Sequence, residues 1–125
     1  MYRTAGLQEE AVRSFERAIR ESPVDPRLHL TFTAMGIAFI ELRRFDEAVA
    51  AGKKALRVNP AFRTAYRCLA SAFAHLGRDP EAREAAARLL EDDPAFTISG
   101  SIARGGRTAN LKLLIEGLRK AGLPE

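Results

Sequence analysis

The chain has 125 residues, 46% hydrophobic and 29% charged, with a net charge of +4, no tryptophan and one cysteine, Cys68. That is enough length for one domain with a buried core, no apolar run reaches the ~18–20 residues that cross a membrane, no signal peptide is recognisable, and a lone cysteine forms no internal disulfide, so a reducing, cytoplasmic location is expected. Residues 1–60 and 61–125 each hold ten Lys/Arg and eight Asp/Glu, so the basic excess is not gathered on one face as in nucleic-acid binders, and no nucleic-acid partner is expected.

Leu7, Ala11, Val12, Phe15, Ala18 and Ile19 recur at helical spacing. They span an arc of about 140°, wider than a one-sided stripe, so the helix Leu7–Glu21 is expected to meet neighbours on two sides. Ser22-Pro23 ends it, because proline disfavours helix in the residue before it. Asp25-Pro26 reads as the cap and first turn of the next helix, which runs to about Leu42. Arg43-Arg44 make a short turn, and a helix follows from about Phe45 to Val58, closed by Asn59-Pro60. A further pair runs from about Arg63 to Leu76 and from about Asp79 to Glu91. Gly77 suits the left-handed residue that ends a helix, and Asp79-Pro80 repeats the cap logic of Asp25-Pro26.

After Asp92-Asp93-Pro94 the composition shifts. Residues 97–107 are rich in Ser, Gly and Arg and read as a linker with one short helical turn near Ile98–Arg104. The last helix spans 108–122, with Thr108 as cap and Gly122 as stop. Leu111, Leu114, Ile115 and Leu118 form a stripe fit to cover the end of a stack. Leu113 points to the opposite side, toward solvent or another chain.

The helices repeat. Phe32, Met35-Gly36, Phe39, Ala48, Ala55 and Pro60 recur 34 residues later as Tyr66, Leu69-Ala70, Phe73, Ala82, Leu89 and Pro94. A period of this length means stacked helical hairpins. Gly36, Ala48, Ala70 and Ala82 stand where antiparallel helices approach closely, and the large residues fill the spaces between. The pattern resembles the tetratricopeptide repeat. It implies an all-α antiparallel helical-hairpin superhelix with a C-terminal capping helix, in one domain: the second half of a truncated repeat over 1–23, repeats over 29–62 and 63–96, a linker over 97–107 and the capping helix over 108–122. Gly52, where the repeat prefers an aromatic, and Leu89, where it prefers Ala, depart from the pattern and are expected to loosen packing locally. The absent first helix of the leading half-repeat suggests a fragment of a longer protein, whose exposed apolar face invites self-association.

The ending Glu116-Gly117-Leu118-Arg119-Lys120-Ala121-Gly122-Leu123-Pro124-Glu125, together with Asp93–Ser99 and Ser22–Pro26, is similar to the C-terminal tetratricopeptide region of bacterial multidomain signalling proteins. In these a class III adenylate/guanylate cyclase domain, or a DNA-binding regulator, precedes the repeats. The linker here, Arg104–Asn110, departs from those relatives. The resemblance implies a regulatory or scaffolding tail and hands no catalytic role to any residue.

The chemistry-bearing candidates are few. Cys68 and His75 lie two turns apart on one helix, about 10 Å, too far to share a metal, and His29 lies on another helix. No zinc spacing and no acid–base or nucleophile constellation stands out, so no catalytic residue, metal or cofactor is assigned. Ser101–Thr108 falls short of a phosphate loop, having serine and arginine where the motif needs glycine and lysine. The site assigned is the concave groove. The resemblance maps it to Leu30, Thr33, Ile37, Ile40 and Glu41 on one helix and Thr64, Arg67, Ser71, Ala74 and His75 on another. Thr33, Ile37 and Ser71 do not supply the Lys/Asn/Arg clamp by which chaperone-binding members hold a C-terminal carboxylate. The expected ligand is an amphipathic helix or extended peptide of a protein partner. Coverage of the groove by the chain's own segments is the competing expectation, and a homodimer pairing attached domains is the alternative function.

Overall fold

The computed structural model describes residues 2–105 and 111–125. Seven helices appear among them: α1 (Tyr2–Glu21), α2 (Leu28–Glu41), α3 (Phe45–Val58), α4 (Arg63–His75), α5 (Asp79–Asp92), α6 (Ile98–Gly105) and α7 (Lys112–Lys120). There is no strand among the described residues. α2 pairs with α3 and α4 with α5 as antiparallel hairpins; α1 packs on α2, and α3 joins the two hairpins by packing on α4. The fold is an all-α stack of helical hairpins.

The 34-residue period reaches the polar contacts as well as the core. The N–H groups of Arg44 and Arg78 donate to the carbonyls of Phe39 and Phe73 at 2.8 and 2.9 Å. Their guanidinium groups lie over those same two rings, 4.7 and 4.9 Å from the centroids. Each also pairs with the glutamate three residues on, Glu47 or Glu81. Arginine therefore stitches each interhelix turn to the aromatic that precedes it, by a backbone bond and a cation–π contact. Both turns need a left-handed residue: Gly77 at φ +74° in the second and Arg43 at φ +62° in the first.

Small residues set the helix spacing. A Cβ on Gly36 would stand 2.7 Å from Cys68 Sγ, so α2 and α4 meet there only because the side chain is missing. Gly52 also has a packing reason. A Cβ on it would meet Leu69 at 2.9 Å, so Leu69 occupies the space that an aromatic on α3 would claim. Leu89 is buried in the core.

Several sequence expectations change. Asp25 does not cap α2: its carboxylate accepts from Arg27 N–H and pairs with the Arg27 guanidinium, forming a turn before a helix that starts at Leu28. Asp79 is the first residue of α5 and offers no cap bond. The expected single turn at 98–104 is a helix of eight residues. Thr97 starts it by accepting from Gly100 N–H at 3.0 Å, while Ile98 is fully buried. The cap assigned to Thr108 lies outside the described residues; α7 begins after an extended Leu111. Leu113, expected at the surface, is buried.

Candidate functional site

α2 and α4 lie side by side, and their inner faces form the groove. α7 lies in that groove, mainly against α4 and also against α2. It therefore lines the inside of the stack instead of covering its end. Leu114 and Leu118 are fully buried, and Leu113 and Ile115 nearly so. At Gly117 the helices touch backbone to backbone: a Cβ there would stand 2.6 Å from Ser71 O and 2.7 Å from Ser71 Cα. Only a residue without a side chain permits that crossing.

Three polar side chains of the groove hold the first turn of α7. Glu41 Oε2 accepts from Leu114 N–H at 3.0 Å, one of the donors that a helix start leaves without an internal partner. Ser71 Oγ donates to Leu114 O at 3.0 Å, and His75 Nε2 lies 2.6 Å from Leu113 O. A carbonyl only accepts, so Nε2 is the protonated nitrogen of His75. The imidazole is steadied by stacking on Phe45, with centroids 4.5 Å apart. Burial pushes the Glu41 carboxyl above its ordinary value, and the backbone N–H groups of Leu114 and Leu113 oppose that shift.

The ten assigned residues thus divide. Glu41, Ser71 and His75 grip α7. Ile37 faces an apolar cleft of about 180 Å³ between α1 and α2, beside Leu111, with Ala11 and Phe15 opposite. Thr64 and Arg67 line a separate cavity at the far end of α4. Thr33, Ile40 and Ala74 are buried, so they form groove floor rather than contact surface. Leu30 is half exposed, at 50%. The sequence reasoning allowed for coverage of the groove by the chain's own segments but named neither α7 as the occupant nor Gly117 as the contact. The available signal was a glycine inside an apolar helical stripe, where it costs about 1 kcal/mol relative to alanine and therefore asks for a packing reason.

Cys68 is completely buried, and desolvation pushes its thiol up to about 12, so it supplies no thiolate at neutral pH. His29 lies edge-on to Phe62, with ring centroids 4.7 Å apart. Among the described residues no group of three or more His, Cys, Asp or Glu is arranged to hold a metal ion. No helix among them is long and apolar enough to cross a membrane.

A family profile described as tetratricopeptide repeat matches residues 33–95, half of the chain. The chain belongs to the tetratricopeptide repeat family. The match begins in α2 and ends just after α5, so it covers both hairpins that build the groove floor. Tetratricopeptide repeats are generally protein–protein interaction modules, and a protein partner is the class of ligand this membership supports. No curated protein matches the chain. In this tetratricopeptide protein the part that the profile leaves out, α1 and the region after α5, supplies the occupant of the groove and one wall of the cleft beside it.

Proposed function

We propose that this chain is a non-enzymatic protein-interaction module whose groove takes an amphipathic helix of a partner in the place of α7. The observation that carries the reading is α7 itself. An amphipathic helix seated through Leu114 and Leu118, with its backbone held by Glu41, Ser71 and His75, has the chemistry a partner helix needs. The polar groups bind backbone rather than side chains, so they accept any helix that offers a free N-terminal N–H and a small residue at the Gly117 position. The cleft at Ile37 extends the apolar surface past Leu111, giving a longer helix more to bury.

The role follows from the resemblance in the C-terminal segment: a regulatory or scaffolding tail of a bacterial cyclase-type signalling protein, acting in the cytoplasm. A homodimerisation element is the second reading, favoured by Leu7 on α1, which is 61% exposed. Both readings give the chain repeats over 29–62 and 63–96 preceded by half a repeat.

The test adds a labelled peptide of residues 111–125 to the chain carrying Gly117→Leu, whose own helix no longer fits against Ser71. Binding to this variant, and at least about tenfold weaker binding to the unaltered chain, supports a helix-accepting groove. Equal or absent binding to a folded variant contradicts it. Sedimentation of the unaltered chain separates the second reading: a concentration-independent monomer removes the homodimer.

A further inference from the structure

A cavity of about 250 Å³ opens where the start of α4 meets the end of α5 and α6. Arg63, Arg67 and Arg104 line it, and one carboxylate, Asp93, shares it. Three guanidinium groups against one carboxylate leave a formal charge of +2. Asp93 is engaged with Arg63 at 3.8 Å. Arg67 is the deeper cation. Its Nε is buried without a hydrogen-bond partner, and no ion pair reaches it among the described residues.

Arg67 is partly buried, with its Nε shut off from solvent, and a cation so placed is favoured by a counter-charge beside it. The carboxylate of the lining, Asp93, is already engaged by Arg63. Arginine presents a planar fork of donors that matches a tetrahedral oxyanion in pairs. Thr64 adds a hydroxyl to the lining. Ser101 does not, since its Oγ already donates to Ile98 O at 2.8 Å. The geometry points to a binding site for a phosphate monoester dianion, with Arg67 at the floor and Arg63 and Arg104 at the mouth. A formal charge of +2 favours a dianion over a carboxylate or a phosphodiester. The site stands apart from the helix groove and does not depend on whether a partner displaces α7. Burial also holds the Arg67 guanidinium below its ordinary pKa.

The test is calorimetric titration of the full chain with inorganic phosphate and O-phosphoserine, and with acetate and dimethyl phosphate as monoanion controls. Phosphate and phosphoserine should bind, each at least about tenfold more tightly than either monoanion. Arg67→Gln and Arg104→Gln should each weaken phosphate binding about tenfold or more, the range of one lost charge-assisted pair. Arg88→Gln should leave it unchanged, because Arg88 lies over the Tyr66 ring outside the cavity. Circular dichroism verifies that the variants are folded, and Arg67→Met serves if Arg67→Gln is not. Phosphoserine binding without inorganic phosphate binding would assign the site to phosphorylated side chains and keep the proposal; inorganic phosphate binding without phosphoserine binding would assign it to the free ion and overturn the monoester. Equal affinity for acetate, or phosphate binding untouched in folded Arg67 and Arg104 variants, overturns it.

Discussion

Gly117→Ala sets two physical effects against each other. Alanine in a helix interior is favoured over glycine by about 1 kcal/mol. Against it, the new Cβ would stand 2.1 Å from Ser71 Oγ, 2.6 Å from Ser71 O and 2.7 Å from Ser71 Cα. Two of these atoms are backbone in the middle of α4, so they do not swing aside. Overpacking at such a contact costs about 1–3 kcal/mol, and a contact against backbone belongs at the upper end. The net expectation is a loss of about 1–2 kcal/mol, or a melting temperature lower by on the order of 4 °C per kcal/mol for a chain of this length. Urea and thermal melts measure it. Gly6→Ala is the control: nothing lies within 4 Å of its would-be Cβ, so the helix preference acts alone and stability should rise. If Gly117→Ala stabilises as Gly6→Ala does, the close crossing of α7 and α4 is wrong.

Four further outcomes follow from the same contacts. Gly36→Leu should cost more than about 3 kcal/mol in a urea melt, because its Cβ alone already meets Cys68 Sγ at 2.7 Å. Arg43→Gly should raise the melting temperature, since it relieves a left-handed non-glycine residue worth about 1 kcal/mol. Cys68 should resist alkylation by iodoacetamide in the native chain at neutral pH and react only on unfolding, as its burial and raised pKa require. Glu41 has a folded pKa above its ordinary 4.5, so the stability it contributes is fully present below that value and is lost as pH rises through the folded value. Glu41→Gln should therefore be stabilised relative to the unaltered chain near neutral pH, with the difference shrinking as urea melts approach about pH 4. His75 and Glu116 face the same carboxylate, so each melt is repeated in His75→Gln and Glu116→Gln backgrounds.

The hairpins were legible because their determinants are local. Small residues at Gly36 and Ala70, aromatics at Phe39 and Phe73, and turns at Arg43 and Gly77 recur at one period, and each contact they make lies within a hairpin or with its neighbour. The fate of the last helix was not legible in the same way. Its stripe of Leu111, Leu114, Ile115 and Leu118 says that one face is buried without saying against what. Burial of Leu113 depends on the carbonyl bond to His75, 38 residues away in sequence, and on Glu41, 73 residues before Leu114. The α6 helix was hidden because its sequence, Ile98–Gly105, has two glycines and a serine pair. It is held by tertiary bonds instead: Ile98 N–H and Ser99 N–H donate to the carbonyl oxygens of Pro124 and Glu125 at 2.8 and 2.9 Å. The arginine cavity needed the same long-range meeting, since Arg63 and Arg67 come from α4 and Arg104 from α6.

The central claim is that α7 occupies the groove with its backbone against Ser71. Nuclear Overhauser contacts in the isotopically labelled chain test it directly. Cross-peaks between the Gly117 α-protons and the Ser71 α- and β-protons, with slow exchange of the Leu114 amide, are the predicted result. Their absence in a folded chain, with Leu114 exchanging as freely as an exposed amide, would contradict the account.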